Sequence, residues 1–517
     1  MTILDNMTRC NESYDSQKKS LVTELKSNII LPIGTQNRRT FIHMFDRRKF
    51  IQYMSAAGGA ILLPSCAKSY QYEGEQWWTQ GGYAPILEEF DQTSFIIEGE
   101  IPTHLNGMYV RNGGNFRGSK APHYFVGDGM LHGIWLEEGT AKLYRNRWVQ
   151  TTLIKDNKEL SLNKEDNMSN TSIISYGGRL LSLMEIGFPY EINNDLSTKG
   201  VYRFQNTLET AMTAHPKIHP STNNLQFYGM SFMSNPYLHY REANEEGRIV
   251  LQKDFTLSKS SMQHDFQRTE NYVLFLDLPI VFSTWKAIQG DFPYEWLGDN
   301  YNARIGVWFR KNPESDIRWF AIQTCFCFHT CNAFEEADGT IRLQLSRFRQ
   351  IWMRSPYDIN EPSQLYEYHI HPQKGILSER ALDDNRIDFG FVDFRYSGTN
   401  HSRSYFSSLT PTGPEITDPV RFSGLLSYNK SGNVQEKYEY PEEIDSGEFS
   451  FVPISEDAPE GVGHLMGFVY NKREDKSSLD IFNAEEINNG PVARIHINNR
   501  IPFGFHGTFV PNPENKK

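Results

Sequence analysis

The stretch Cys325–Glu336, CFCFHTCNAFEE, has the alternation of a buried β-strand. Three cysteines and one histidine occupy every second position from Cys325 to Cys331, so on a strand they would all point to one face. Thiolates and imidazoles are both metal ligands, and buried cysteines are also common as small core residues. The stretch therefore predicts a strand and leaves open which of these side chains, if any, binds a metal.

Runs of the same kind extend outward from this stretch over most of the chain. They are rich in Val, Ile, Phe and Tyr and are separated by Gly, Asn, Asp and Pro, which is typical of antiparallel strands and hairpins. Few stretches keep a helical apolar period over three turns, so we expect few and short helices. Many strands without crossover helices indicate a sandwich, a barrel or a propeller, and a propeller holds a chain of this length most easily. No clean repeat is visible, so its blades would have diverged.

Composition supports a globular β-rich protein and excludes one class of partner. The 517 residues are 38% hydrophobic and 13% aromatic, which is ample for a core of pleated strands. The formal net charge is −11. Nonspecific binding to nucleic acid requires basic surface that displaces counterions from phosphates, so we exclude nucleic acid as a partner.

The N-terminal region is predicted to be an export signal rather than part of the fold. Arg47 and Arg48 precede an apolar run, Met54–Pro64, which is too short to span a bilayer. We interpret residues 44–66 as a twin-arginine signal peptide beginning at Met44, residues 1–43 as a non-structural extension, and residues 67–517 as one domain. The protein would then be exported and periplasmic or envelope-associated. The alternative is a basic cytoplasmic tail.

The cysteines add two observations. Leu63 and Cys66 fit the spacing of a lipid-attachment motif, whereas Pro64 is unusual in such a motif, so lipid attachment at Cys66 stays open. Beyond Cys66 the remaining cysteines all lie within the Cys325–Glu336 stretch, which is not the pattern of a disulfide framework.

Four histidines are singled out by their surroundings. Each is flanked by apolar or aromatic residues and by Gly, Pro or Asn that would begin or end a strand. Burying an imidazole there is costly unless it has a ligand or a hydrogen bond. The four are too far apart in sequence for a local finger-type site, and only a fold that brings distant strands to one axis could gather them: His215, His264, His329 and His506.

The motifs GMYVRNGGNF (107–116) and HYFVGDGMLHGIWLEEGTAKLYRNRWVQT (123–151), followed in order by the four histidine contexts, resemble the carotenoid cleavage oxygenase family. The resemblance runs from about Ile97 to Val510. It implies a seven-bladed β-propeller with an Fe(II) on its axis, under a cap of loops and short helices that forms a substrate tunnel. Carried over by position, His215, His264, His329 and His506 match the four iron ligands.

The resemblance also implies three carboxylates that orient the ligand histidines from behind. Glu185 and Glu448 match two of them, and Asp388 stands where the family has a glutamate. Because aspartate is one methylene shorter, we expect a longer bond or a bridging water between Asp388 and its histidine. The alternative for the two glutamates is that they are ordinary solvated carboxylates.

With these ligands, His329 is the metal-binding residue of the opening stretch and its cysteines are core residues. Residues two apart on one strand diverge too little to surround an ion tetrahedrally. Five other histidines are interpreted as non-ligands: His132, His219, His401, His464 and His496. The GDGM sequence at Gly127–Met130 is interpreted as a turn, since it lacks the lysine and helix of a phosphate loop.

The function implied is oxidative cleavage of a conjugated carbon–carbon double bond by Fe(II) and O₂, on an apolar carotenoid or apocarotenoid. The YRNRW motif is closer to the stilbene-cleaving branch, but Met184 stands where that branch has a lysine that supports a phenolate. Alternatives are a stilbene-type dioxygenase, an isomerase or hydrolase on the same iron site, and a metal-free propeller that serves as a binding module. Peripheral membrane association and the oligomeric state stay open.

Overall fold

The computed structural model describes residues 77–117, 123–158, 160–161, 163–289, 292–352, 363–410 and 421–512. The predicted extension (1–43) and export signal (44–66) lie outside these residues. The chain divides into two compact units. The larger is Glu75–Ser283 with Tyr294–Lys517, and the smaller is Met1–Gly74 with Thr284–Pro293.

The described residues are dominated by short β-strands. In chain order the first seventeen are β1 (Asp91–Gln92), β2 (Ile97–Gly99), β3 (Gly107–Asn115), β4 (Asp128–Glu137), β5 (Thr140–Trp148), β6 (Ser172–Tyr176), β7 (Arg179–Leu183), β8 (Tyr190–Ile192), β9 (Thr198–Val201), β10 (Lys217–Ile218), β11 (Leu225–Met230), β12 (Leu238–Ala243), β13 (Ile249–Phe255), β14 (Gln267–Arg268), β15 (Tyr272–Asp277), β16 (Ile280–Phe282) and β17 (Tyr294–Trp296).

The remaining strands are β18 (Arg304–Phe309), β19 (Arg318–Ala321), β20 (Thr330–Glu335), β21 (Ile341–Phe348), β22 (Ser363–His371), β23 (Gly375–Ala381), β24 (Ile387–Val392), β25 (Arg403–Leu409), β26 (Phe422–Asn429), β27 (Val434–Glu439), β28 (Ile444–Asp445), β29 (Ser450–Pro453), β30 (Gly463–Asn471), β31 (Lys476–Asn483), β32 (Pro491–Ile497) and β33 (Gly507–Pro511).

Helices are few and short, as the sequence predicts. Within the described residues there are two α-helices, α1 (Thr152–Lys155) and α2 (Thr284–Gln289), and α2 belongs to the smaller unit. The 3₁₀ helices are Trp77–Thr79, Gly81–Tyr83, Gly298–Asn300, Phe394–Tyr396 and Ile487–Asn489. None of the helices in the described ranges is both long and apolar enough to cross a bilayer.

The strands of the larger unit form seven antiparallel blades and one extra hairpin, β16–β17. The strand orders are β1-β5-β4-β3-β33 in blade 1, β6-β7-β8-β9 in blade 2, β10-β11-β12-β13 in blade 3, β14-β15-β18-β19 in blade 4, β20-β21-β22-β23 in blade 5, β24-β25-β26-β27 in blade 6, and β2-β32-β31-β30-β28 in blade 7, where β29 also pairs with β30. The prediction of an all-β, seven-bladed propeller is confirmed.

The ring is closed because the first and last blades exchange strands. Strand β33 pairs with β3 of blade 1, from Gly107 opposite Pro511 to Arg111 opposite Gly507. Strand β2 in turn pairs with β32 of blade 7. The innermost strands of neighbouring blades also touch, since β33 lies against β6 and β29, and β20 lies against β14 and β24. The axis of the ring is therefore lined by the first residues of several blades.

Apolar residues hold neighbouring blades face to face. Strand β15 has the run YVLFLD and is buried along nearly all its length, whereas the outer strand β13 alternates between more exposed and less exposed residues. Between blades 3 and 4, Tyr240, Phe255 and Trp308 form one aromatic cluster. Aromatic side chains bury large areas and pack edge to face, which suits the narrow space between two twisted sheets.

Candidate metal centre

The four predicted histidines stand directly before innermost strands of four blades. His215 precedes β10, His264 precedes β14, His329 precedes β20 and His506 precedes β33. Because inner strands begin beside the axis, residues at this position of different blades are brought together although they are distant in sequence. This placement depends on the ring, and no local motif could supply it.

The structure brings the four imidazoles to one point. One ligand nitrogen from each histidine lies within 4.8 Å of the corresponding nitrogens of the others. Nε2 of His264 lies 3.1 Å from Nε2 of His215 and 3.3 Å from Nε2 of His329. The rings of His215 and His506 have centroids 4.4 Å apart. All four nitrogens therefore face a common space on the axis.

Two of the histidines are held from behind by the predicted glutamates. Nδ1 of His506 lies 2.7 Å from Oε1 of Glu448, and the other carboxylate oxygen accepts from the backbone N–H of Gly507 at 2.9 Å. His264 makes the equivalent Nδ1 contact with Oε1 of Glu185. Glu185 and Glu448 thus lie where the resemblance implies, with only 20% and 16% of their side-chain surfaces exposed, which differs from ordinary solvated carboxylates.

The third histidine is held by the shorter carboxylate. Oδ1 of Asp388 contacts Nδ1 of His329 directly at 2.9 Å, slightly longer than the 2.7 Å of the Glu448 contact. The backbone conformation around Asp388 explains how the shorter side chain reaches His329. Pairing of β24 with β25 shifts register between Asp388 and Phe391, and Phe389 within this bulge has φ +53°. A bulge redirects the side chains around it, and a bulky residue at positive φ is rare outside strained functional sites.

The hydrogen bonds determine which imidazole nitrogen carries the proton. In His264 and His329 the carboxylate behind the ring accepts from Nδ1–H, which leaves Nε2 of each ring as a lone pair. When both rings are neutral, these two lone pairs face each other at 3.3 Å and cannot bond to one another. A cation between them removes the conflict.

The nitrogen spacing also fits a single ion. Two nitrogens bound to one ion at about 2.1 Å lie about 3.0 Å apart at a right angle and about 3.4 Å apart at a tetrahedral angle. The two measured separations, 3.1 and 3.3 Å, fall within this interval. Four neutral imidazoles suit Fe, Zn, Cu or Ni rather than Mg or Ca, which prefer oxygen. The residues present therefore fit a transition-metal ion.

Burial and neighbouring charges shift the pKa values of these histidines in different directions. Burial, together with the other histidines, holds the pKa of His215 well below its usual range. Burial also lowers the pKa of His329, although Asp388 opposes the shift. For His264 burial acts in the same direction but the carboxylate of Glu185 outweighs it, so the pKa is raised. His215 and His329 are thus neutral, as metal ligation requires.

The cysteines of the opening stretch lie outside this cluster. All three are buried and free. Sγ of Cys327 contacts the backbone oxygen of His329 at 3.2 Å, and Cys331 packs in an apolar cluster between blades 5 and 6. The predicted strand does begin later than expected, at Thr330, because residues before it make only an isolated bridge between Phe326 and Phe348.

The histidines interpreted as non-ligands have other neighbours. None of them belongs to the four-histidine cluster. Their neighbours are Tyr144 for His132, the backbone of Glu270 for His219, Asn332 for His401, the ring of His104 for His464, and Glu98 for His496.

Aromatic side chains that the sequence analysis did not single out adjoin the cluster. The ring of Phe328 has its centroid 5.3 Å from that of His264, and Phe389 packs against His329 at 4.8 Å. Phe328 continues into Phe125 and Trp352, at 6.0 and 6.1 Å. The alternate phenylalanines of the opening stretch were the available signal for Phe328. Phe125 lies within the quoted motif 123–151 but was not singled out, and nothing in the sequence marked Trp352. One side of the centre is therefore an apolar aromatic wall.

Comparison with known proteins identifies similar sequences over most of the chain. The family model described as retinal pigment epithelial membrane protein (RPE65) matches residues 83–511. Carotenoid 9,10(9',10')-cleavage dioxygenase 1 of Phaseolus vulgaris is 29% identical over 483 residues, covering 83% of this chain and 88% of its own. The carotenoid cleavage oxygenase of Mycobacterium tuberculosis is 27% identical over 501 residues, covering 85% and 98%.

A solved structure gives the same fold. The lignostilbene dioxygenase of Pseudomonas brassicacearum superposes with a TM-score of 0.77 at 25% identity, covering 85% of this chain and 99% of its own. Cobalt-substituted Synechocystis ACO superposes with a TM-score of 0.75 at 23% identity, covering 84% and 98%. With a family match over most of its length, this chain belongs to the RPE65/carotenoid cleavage oxygenase family.

Proposed function

We propose that this protein is a non-haem Fe(II) dioxygenase that cleaves a conjugated carbon–carbon double bond of a carotenoid or apocarotenoid and gives two carbonyl products. The observation that carries the proposal is the convergence of four imidazole nitrogens on the propeller axis, with three of the rings backed by carboxylates. Homologues with the same overall fold are dioxygenases by name, which supports an enzyme.

In this proposal His215, His264, His329 and His506 would hold the iron. The bound ferrous ion would supply activation of O₂ beside the double bond. Four histidine ligands would leave coordination positions of such an ion open for O₂. Both atoms of O₂ go into the products, one on each carbon of the broken double bond, so no further reductant is needed.

The remaining residues would orient the ligands and shape the space around the double bond. Glu185, Asp388 and Glu448 keep the proton of each ring on Nδ1 and so keep Nε2 free for the metal. Phe328 and Phe389 present apolar surface next to the ligand rings. Such surface excludes water and stacks on an extended conjugated chain.

The aromatic wall and the absence of one positive charge support an apolar substrate. Phe125, Phe328 and Trp352 offer aromatic contact to a polyene. Met184, directly before Glu185, cannot supply the ammonium that stabilises a phenolate. A stilbene-type dioxygenase remains the second candidate, because the lignostilbene dioxygenase shares 25% identity over nearly its whole length.

Two measurements test the proposal. The purified protein is analysed for metal after anaerobic reconstitution with Fe(II), and about one iron per chain is expected. The loaded protein is then incubated with ¹⁸O₂ and a panel of apocarotenoids and stilbenes, and one labelled oxygen is expected in each carbonyl product. Failure to take up iron would support a metal-free binding module. Products without label would support an isomerase or hydrolase instead.

We also propose that the protein is exported by the twin-arginine route. Support comes from Arg47 and Arg48 ahead of the short apolar run Met54–Pro64. Replacement of both arginines by lysine should retain the protein in the cytoplasm in a fractionation experiment. Periplasmic recovery of that variant at the wild-type level would contradict this route.

A further inference from the structure

Three residues that follow the ligand histidines of blades 3, 4 and 5 form one buried network. Nζ of Lys217 lies 2.8 Å from Oδ1 of Asp265. The other carboxylate oxygen of Asp265 accepts from the backbone N–H of Thr330 at 2.9 Å and from its hydroxyl at 2.6 Å. One carboxylate therefore joins the first residues of three blades, each next to a histidine of the centre.

The carboxylate at the middle of this network is fully occupied. Oδ1 of Asp265 also accepts from the backbone N–H of Phe266 at 2.8 Å, which makes four donors in total. A carboxylate has about four acceptor sites, so none is left over. Only 2% of the Asp265 side-chain surface is exposed. A charge buried so deeply is retained only where its partners hold it in one geometry.

Backbone pairing alone places His215 and His264 weakly. Strands β10 and β14 are two residues long, and each pairs with its neighbour through two residue pairs. Such short strands leave the angle of the preceding residue open. His506 of blade 1 is held more firmly, because β33 pairs with β3 over five residues and Glu448 bonds to both His506 and Gly507. Blades 3 and 4 need another constraint, and the network supplies one by joining them to Thr330 of blade 5, whose strand β20 pairs through five residue pairs.

We propose that Asp265 is a positioning residue that sets the mutual placement of His215, His264 and His329. It acts by tying the Lys217 ammonium, the backbone N–H of Phe266 and the backbone N–H of Thr330 to a single buried carboxylate. The inference rests on the proposed function, since it concerns the ligands of that same metal. It adds a constraint that acts on three ligands together, whereas each carboxylate at an Nδ1 acts on one ring.

The test measures metal binding directly. Asp265→Asn puts an NH₂ group against N–H or O–H donors whichever way the amide turns, so the network cannot reform. We expect Co(II) affinity, measured by competition with a chromophoric chelator, to fall by at least about tenfold. The d–d absorption of the Co(II) protein should also shift, because the ligand geometry changes. A merely structural role would lower thermal stability and leave this spectrum unchanged.

Matched variants keep the result decisive. Thr330→Val removes the hydroxyl bond, and Thr330→Ser keeps it, so the serine variant should bind Co(II) more tightly than the valine variant even if Asp265→Asn does not fold. Glu242→Gln breaks a buried ion pair remote from the centre and should leave Co(II) affinity within about twofold. Wild-type affinity and spectrum in Asp265→Asn, or equal affinities in the two Thr330 variants, would overturn the inference. Failure of the wild type to bind metal would instead overturn the proposed function.

Discussion

Replacing Glu448 by glutamine should damage the metal site more than replacing Asp388 by asparagine. Glu448 accepts two bonds, from Nδ1 of His506 at 2.7 Å and from the N–H of Gly507 at 2.9 Å. A glutamine has one carbonyl oxygen for these two donors. The backbone N–H cannot give up its proton, so the oxygen goes to Gly507 and the NH₂ group faces the imidazole.

The imidazole can accept from this NH₂ group only by moving its proton to Nε2. Nε2 then has no lone pair for a metal, and one of the four ligands is lost until the tautomer is reversed. Changes to partners behind metal ligands cost about 10- to 100-fold in affinity. This corresponds to about 1.4 to 2.7 kcal/mol, at 1.36 kcal/mol per factor of ten.

Asp388 provides the matched comparison, since its carboxylate makes one contact with the ring, from Oδ1 to Nδ1 of His329 at 2.9 Å. An asparagine can keep its oxygen towards this nitrogen, so the proton stays on Nδ1. Only the charge of the acceptor is lost, so we expect metal affinity to fall by less than about fivefold.

The assay is anaerobic competition for Fe(II), or for Co(II) in air, between each variant and a chromophoric chelator at neutral pH. Thermal unfolding of the metal-free proteins checks that both variants are folded. Wild-type affinity in Glu448→Gln would refute the tautomer argument. An equal loss of metal affinity in the two variants would refute it too, because only Glu448 accepts a second bond, from the N–H of Gly507.

Three other predictions concern separate parts of the molecule. Alanine in place of His329 should abolish stoichiometric iron, whereas alanine at the three cysteines of Cys325–Glu336 should leave about one iron per chain by metal analysis; loss of iron in the cysteine variant would contradict the ligand assignment. Glu242→Gln should destabilise the protein by about 3 kcal/mol because it removes the buried carboxylate that pairs with half-buried Arg310. The pKa of Glu242 is lowered from 4.5, because burial, which raises it, is outweighed by Arg310. In denaturant unfolding, the difference in unfolding free energy between wild type and variant should therefore be constant above pH 4.5 and shrink as the pH falls through the lowered pKa. A difference that grows in acid would refute this prediction. Phe125→Ala should raise KM for a polyene about tenfold, with a smaller change in kcat, because it removes apolar contact from the aromatic wall; an unchanged KM would remove Phe125 from the substrate surface.

The strands could be predicted from local patterns because each has its own signal, whereas the seven-bladed arrangement came from the family resemblance. Alternating aromatic and β-branched runs bounded by Gly and Pro identify strands, and the blades confirm that interpretation. Imidazoles in apolar surroundings, together with family resemblance, pointed to the four residues that the structure brings together. These signals depend on the residue and its immediate neighbours, which a sequence displays directly.

Features that depend on backbone irregularity were not visible. Alternation in the opening stretch suggested a strand from Cys325, but pairing begins at Thr330 and shifts register before Asn332. Likewise, the length of Asp388 suggested a longer bond or a bridging water; the contact is direct and slightly longer than that of Glu448, and the sequence did not reveal the bulge at Phe389 that allows it. A bulge inserts one residue without changing the hydrophobic pattern on either side, so periodicity does not reveal it.

The exchange that closes the ring has a consequence for how the protein is made. Strand β33 and His506 are synthesised after every other strand described, yet they belong to blade 1 and to the metal centre. Before the last residues are synthesised, the nascent chain therefore contains at most three of the four histidines. At that stage strand β3 of blade 1 has an unpaired edge. Completion of the propeller and assembly of the four-histidine cluster thus become one late event.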